Sequence, residues 1–234
     1  MPAGRVTPAR TAGEHLRLVA AEVAEQAAAL VFAALGSGAL RATKSSATDI
    51  VTDTDVESER VIREELRARC PGSSMFGEEL DDEVGVNAVT WIVDPIDGTV
   101  NFLYDLPVVS VSIAAAIDGC VVAGAVADVV RRDVFSAALG CGAWRDGQPI
   151  GVRTVADLSQ ALVGTGFSYD AGRRAEQSRI LNRLLPAARD IRCMGSAALN
   201  LCWVGCGRLD AYYEHDTKFY DYAAGALIAR EGGA

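Results

Sequence analysis

The sequence predicts an α+β fold built from stacked layers of helix and sheet. Three observations point to it. Helical and strand periodicities occur in blocks, without the regular strand–helix alternation of a doubly wound parallel sheet. Two apolar runs flank Asp118–Gly119, a two-residue hairpin signal, so an antiparallel meander is expected in mid-chain. Half of the 234 residues are hydrophobic and 23% are charged, which is ample for a core, and no repeat, low-complexity tract or linker interrupts them. One domain of two lobes, about 14–140 and about 141–234, is expected over residues 1–234.

The elements follow in order. Leu16, Val19, Ala20, Val23, Ala27, Leu30 and Val31 fall at helical spacing, predicting a helix over 14–35 that Gly36–Ser37–Gly38 ends. A polar-acidic segment over 49–55 precedes a second amphipathic helix over 56–69, stopped by Pro71–Gly72. A short strand over 73–76 runs into Gly77-Glu78-Glu79. The acidic stretch 78–83 leads to an apolar strand over 90–93, which Asp94–Pro95 is expected to break. The meander occupies 108–117, 120–129 and 133–139. Strands at 161–167, 191–194 and 209–214 then alternate with helices at 173–185, 196–204 and 221–230.

Charge and composition exclude some functions. The 22 Lys and Arg against 31 Asp and Glu leave a net charge of −9. That balance argues against a surface that neutralises nucleic-acid phosphates. It leaves a phosphorylated substrate open, because bound cations invert the local field. The longest uncharged stretches, 26–40 and 193–207, hold 15 residues each, short of the ~20 that span a bilayer. The first 13 residues are polar with no apolar signal core. The six cysteines lack a disulfide-framework spacing. A cytoplasmic protein with reduced thiols and neither membrane nor nucleic-acid partner is expected.

The chemistry concentrates in Trp91-Ile92-Val93-Asp94-Pro95-Ile96-Asp97-Gly98-Thr99-Val100-Asn101-Phe102. An apolar strand ends in one carboxylate, and a Pro/Gly turn presents a second three residues later. Paired carboxylates with a carbonyl between them suit a hard cation such as Mg²⁺. Gly98 and Thr99 open a helical turn whose free N–H groups can hold a phosphate oxygen. Taken alone, the pair also reads as an acidic turn with a helix cap. Further acids add weight: Glu78 and Glu79 at a strand end, Asp49, Asp53 and Asp55 before a helix, and Asp221 at the start of another. Each has a plain structural reading as a helix-start or strand-end acid. Clustered carboxylates repel one another, so a cluster implies cation binding.

Together, Gly77-Glu78-Glu79, the Trp91–Phe102 segment, Tyr212-Tyr213-Glu214-His215 and Tyr220-Asp221-Tyr222-Ala223-Ala224-Gly225 resemble the inositol monophosphatase family of metal-dependent, lithium-sensitive phosphatases. The likeness runs from about Leu16 to the last residue and is nearest to the actinobacterial inositol-1-monophosphatases. It implies a layered α/β sandwich of the inositol monophosphatase and fructose-1,6-bisphosphatase type, forming a homodimer. It implies Mg²⁺, two or three ions per site, with Glu78, Asp94 and the Ile96 carbonyl holding the first. Asp94 would bridge to a second ion held by Asp97 and Asp221. Asp55 would hydrogen-bond Thr99 and, with Glu78, complete the catalytic set that orients and activates the attacking water. Gly98 and Thr99 would bind phosphate. Gly195, Ser196, Ala197 and Ala198 match the segment lining the alcohol pocket, and Glu214 the acid that reads inositol hydroxyls.

The implied reaction is hydrolysis of myo-inositol monophosphate by in-line attack of a metal-activated water. Alternatives are the same chemistry on histidinol phosphate, fructose 1,6-bisphosphate or 3′-phosphoadenosine 5′-phosphate, or a regulatory binding protein on the same scaffold. Phosphate monoesters are among the slowest substrates to hydrolyse uncatalysed, so clustered cations answer a real need. Three departures stand out. Tyr220 replaces the family's tryptophan, and Val100 its threonine. The chain also stops at Glu231-Gly232-Gly233-Ala234, where the family continues, so the C-terminal end looks truncated and a sheet edge is expected to lie uncovered. Other features have plain readings: His15, Arg173 and Arg174 as surface, Lys44 as a solvated charge or mouth residue, His215 as surface or pocket rim, Cys202 and Cys206 as helix-face thiols, and Trp203 as core or dimer contact.

Overall fold

The structure, a computed structural model, describes residues 8–36, 40–43 and 50–234. Lys44 and Asp49 lie outside the described residues. The chain opens with α1 (Pro8–Ala33), six residues earlier than the periodicity predicts, followed by the antiparallel pair β1 (Leu40–Thr43) and β2 (Ile50–Thr52). The segment expected as an acidic loop is therefore the end of β2 and the start of α2 (Asp53–Arg69). Thr52 caps that helix in a capping box, with the Asp55 carboxylate accepting the Thr52 N–H at 2.8 Å.

The main sheet has seven strands in sequence order: β3 (Ser74–Gly77), β4 (Val89–Asp97), β5 (Ser110–Ile117), β6 (Cys120–Asp128), β7 (Val134–Ala138), β8 (Gly142–Arg145) and β9 (Gln148–Pro149). β3 and β4 are parallel and every later pair is antiparallel. The hairpin at Asp118–Gly119 forms as predicted, both residues taking positive φ (50° and 79°). A second hairpin, β8–β9, turns on Asp146–Gly147 (φ 51° and 73°), the same dipeptide signal in a stretch with no predicted strand.

One expectation is corrected here. Asp94–Pro95 does not end the strand: β4 continues to Asp97, with its register against β5 slipping between Asp94 and Asp97. Proline is tolerated at such an irregularity because no ladder N–H is required of it there. The bulge turns the strand end so that carboxylates three residues apart both face the same region.

Strand alternation sorts the core into two layers. Trp91, Val93, Val111, Ile113 and Ala115 face α1 and α2, meeting Val19, Val23, Ala27, Ile62 and Leu66. Ile92, Ala114, Ala116, Val126 and Phe135 face the other way, onto α5 (Ala197–Gly205) and α6 (Phe219–Glu231) through Leu199, Trp203, Leu227 and Ile228. Each Val, Leu, Ile or Phe among them, fully buried, contributes roughly 1.5–3 kcal/mol. Trp203 is thus core, with the Arg131 guanidinium 5.2 Å from its ring centroid. The sheet and α6 approach to backbone distance: a Cβ on Gly124 of β6 would lie 2.9 Å from the Ala224 Cα.

Beyond α5 lies a three-stranded sheet of β10 (Leu162–Thr165), β11 (Asp190–Cys193) and β12 (Ala211–Tyr213), ordered β11-β10-β12 and parallel throughout. α4 (Ala171–Leu184) connects β10 to β11, and α5 connects β11 to β12. The overall class is α+β, yet this smaller sheet does follow the strand–helix–strand rule, which the short strands hide in sequence. Among the described residues no helix is long and apolar enough to cross a membrane.

Candidate active site

The site gathers at the carboxyl end of β4. Asp94 and Asp97 are buried there, 2% and 8% exposed. The Asp94 carboxylate accepts the Ile96 N–H at 3.1 Å, folding the Asp94-Pro95-Ile96 turn on itself. Gly98 follows with φ 97°, and a Cβ on it would lie 2.9 Å from the Val108 carbonyl oxygen. Only glycine meets both demands. The short helix α3 (Thr99–Leu103) starts immediately after it, as the sequence predicts.

Asp55 reaches this turn from α2. It is fully buried, and the Thr99 hydroxyl lies 3.3 Å from its Oδ1 and 3.0 Å from the Ile96 carbonyl oxygen. The candidate water-orienting pair, Asp55 and Thr99, is therefore in contact across 44 positions of sequence. Asp53, by contrast, stays exposed on the first turn of α2.

Asp97 is held by the opposite layer. Its carboxylate accepts the Ser196 hydroxyl at 2.5 Å, the Ser110 hydroxyl at 3.1 Å, and the N–H groups of Ala197 and Ala198 at 3.1 and 2.8 Å. Ser196 is also the N-cap of α5, accepting the Leu199 N–H at 3.2 Å. Burial pushes the Asp97 carboxyl above its usual range while these donors pull it down. Gly195 (φ 82°) sits against Asn101, whose side-chain amide donates to the Val108 and Met194 carbonyls at 2.8 Å each. Neither Ser110 nor Asn101 was singled out from sequence. A serine on an apolar strand gives no signal, although Asn101 lies inside the motif.

The charges of the group act on one another. Burial first, and then the negative charges of Glu78, Asp97 and Asp221, hold the Asp94 carboxyl well above the ordinary carboxylate range. Asp221, in the first turn of α6, is pushed up to about 7 by burial and by Asp97 and Glu214, against the pull of the Lys218 N–H. Glu214 is raised by burial, despite accepting a hydrogen bond from the Tyr212 hydroxyl. It lies over bare backbone at Gly166, where a Cβ would fall 2.1 Å from its Oε2. The ring of Tyr220, the departure from tryptophan, lies 6.0 Å from the Phe76 ring, centroid to centroid, and is tilted 34° to it.

Glu78, Asp94, Asp97, Asp221 and Glu214 thus share one electrostatic neighbourhood, drawn from β3–β4, α6 and the end of β12. Among the described residues no three carboxylates already stand in the tight cage of a bound ion. The donor set nevertheless fits a hard divalent cation. It consists of oxygens, and the charges of Glu78, Asp97 and Asp221 that act on Asp94 are negative, a repulsion that either protons or cations must relieve. Residues outside this neighbourhood keep their plain roles. His15, Arg173, Arg174 and His215 are exposed, and Cys202 is buried in the apolar layer.

The profile of the inositol monophosphatase family matches residues 13–234. An inositol-1-monophosphatase of Mycobacterium leprae is 49% identical over 94% of this chain and 82% of its own length. A Nus factor SuhB of Pasteurella multocida is 39% identical over 83% of this chain and 73% of its own. Among solved structures, the extragenic suppressor protein suhB of Bartonella henselae superposes with a TM-score of 0.88 at 30% identity, covering 93% of this chain and 85% of that one.

Proposed function

Because the chain belongs to the inositol monophosphatase family, whose members include phosphoric monoester hydrolases, we propose that it hydrolyses a myo-inositol monophosphate to inositol and phosphate with Mg²⁺. The observation that carries this is the mutual charge of Glu78, Asp94, Asp97 and Asp221 at the end of β4, with Glu214 beside them. In this reading Glu78, Asp94 and the Ile96 carbonyl would hold one Mg²⁺. Asp94, Asp97 and Asp221 would hold another, two or three ions per site in all. When bound, the ions supply charge neutralisation for the phosphate and leaving oxygen and lower the pKa of water.

The chain's own groups do the rest. Asp55, already fixed by Thr52, takes the Thr99 hydroxyl proton in a hydrogen bond and so turns the Thr99 oxygen outward as an acceptor for the attacking water. The amides of Gly98 and Thr99 face the phosphate at the start of α3. Gly195, Ser196 and Ala197 form the wall toward the alcohol. Glu214 accepts hydrogen bonds from ring hydroxyls, and the Tyr212 hydroxyl keeps its carboxylate in place. Water attacks directly, so no Ser, Cys or His nucleophile is required.

The test is phosphate release with Mg²⁺ across inositol 1-phosphate, fructose 1,6-bisphosphate, histidinol phosphate and 3′-phosphoadenosine 5′-phosphate. Preference for the inositol ester, lost on chelation, is the expected result. Preference for another ester overturns the substrate, and no turnover by folded protein overturns the activity. The relative named Nus factor supports a second reading, a binding protein on the same scaffold. Asp97→Asn separates the two, since turnover depends on that carboxylate and partner binding does not.

A further inference from the structure

We infer that the buried Glu59–Arg63 ion pair of α2 positions Glu78, an inference that rests on the proposed metal-binding role of that residue. Asp55, Glu59 and Arg63 follow one another at four-residue spacing, so they form one stripe along α2. All three are buried, at 0%, 0% and 1% exposure. The Arg63 guanidinium lies 2.6 Å from the Glu59 carboxylate. The remaining hydrogen-bonding groups of the pair point at a single segment. Glu59 Oε2 accepts the Glu79 N–H at 2.7 Å, and Arg63 donates to the carbonyls of Leu80 and Asp81 at 3.0 and 2.8 Å and to the Glu83 carboxylate at 3.0 Å.

Gly77 rests directly on the same pair. A Cβ there would fall 2.0 Å from Glu59 Oε1 and 2.8 Å from Arg63 Nη2. Glu78 is therefore clamped by its two chain neighbours, Gly77 below and Glu79 beyond, onto one helix. That helix also grips the facing strand, since the Ser58 hydroxyl donates to the Pro95 carbonyl at 3.1 Å. α2 thus sets the spacing between Glu78 and the Asp94–Asp97 turn. A buried ion pair is a poor source of net stability, and an apolar pair would pack as well. Its directed hydrogen bonds are what an apolar pair cannot supply. Glu59 and Arg63 act as positioning residues, outside the set that touches substrate.

The experiment compares wild type, Glu59→Gln/Arg63→Met, Arg63→Lys and Glu78→Gln. Two readouts are independent of turnover: amide hydrogen exchange over residues 78–83 and Mg²⁺ binding by calorimetry. The double variant, which removes both charges at similar volume, is expected to exchange faster in that segment alone and to bind Mg²⁺ roughly 10–100-fold more weakly. Adding Glu78→Gln to it should cost no more binding than Glu78→Gln does by itself. Unchanged exchange and Mg²⁺ affinity, or additive losses, overturn the inference. If the double variant fails to fold, Arg63→Lys decides: weakened binding at native Tm supports positioning, and wild-type binding refutes it. A wild type that folds and releases no phosphate overturns the proposed function instead, and the exchange comparison still reads the clamp.

Discussion

The Ser196 hydroxyl lies 2.5 Å from the Asp97 carboxylate across 99 positions of sequence, and through that contact the N-terminus of α5 is bound to the end of β4. Asp97 Oδ2 receives Ser110, Ser196 and the Ala198 N–H, whereas among the described residues Oδ1 receives only the Ala197 N–H. One oxygen is saturated by the protein and the other retains capacity for a cation. Asp97→Asn sets an amide N–H₂ among donors. We expect phosphate release to fall by more than the roughly 10–100-fold that loss of an outer-shell partner costs, because Asp97 is a ligand in the proposed reading. Loosening of α5 should cost about 1 kcal/mol, as for a lost helix cap. Initial rates and thermal unfolding of the one variant read both effects.

Glu214 tests substrate recognition apart from phosphate chemistry. Glu214→Gln keeps the shape and removes the charge, so KM for inositol 1-phosphate should rise about tenfold, some 1.4 kcal/mol of binding, with kcat less affected. Gly166→Ala should reproduce the defect from the other side, because the new methyl would occupy the place of the Glu214 carboxylate. Steady-state kinetics of both variants on the same ester make the comparison. A kcat loss with unchanged KM would assign Glu214 to the chemical step.

Metal-free protein should show an unusual pH response. Asp221 has its carboxyl raised from 3.8 to about 7 in the folded chain, and Asp94 and Asp97 are raised as well. A raised folded-state pKa means that the folded chain binds more protons than the unfolded one. The stability from these groups is then fully present below the ordinary carboxylate range and lost as pH rises through about 7. Without metal, Tm should decline on going from about pH 5.5 to pH 8. Mg²⁺ should restore it at pH 8 and do little at pH 5.5, where protons hold the site. Calorimetry at the two pH values, with Mg²⁺ and with chelator, checks the sign.

The contact between β6 and α6 predicts a stability defect. Gly124→Ala places a methyl 2.9 Å from the Ala224 Cα, against backbone that has nowhere to go. Overpacking of this kind costs about 1–3 kcal/mol, and each kcal/mol lowers Tm by roughly 2–4 °C in a chain of this size. Thermal unfolding of Gly124→Ala measures it, and because α6 carries Asp221 the Mg²⁺ dependence should weaken alongside.

Much of this was legible in the sequence because several signals are local. Periodicity located the helices, Asp118–Gly119 marked the hairpin, and Gly98–Thr99 marked the turn and the start of α3. The less legible parts depend on partners distant in sequence. Pro95 reads as a strand breaker until β5 is seen to tolerate the bulge. Glu59 and Arg63 give no signal within an amphipathic helix, because only the tertiary fold lays the 77–83 segment over them. Ser110 is one more small residue on an apolar strand until Asp97 and Ser196 meet it. The parallel order β11-β10-β12 escaped because strands of three and four residues are too short to show their register.

The five acids that share the site enter the chain far apart, Glu78 just after β3 and Asp221 only in α6. During synthesis the two ends of this set emerge one long after the other, and domains generally close as units once their chain has emerged. A ribosome-bound fragment ending before α6 therefore carries Asp94 and Asp97 but not the cluster's last carboxylate. In the proposed reading, a divalent-ion site therefore becomes complete only after α6 has followed β4 out of the ribosome.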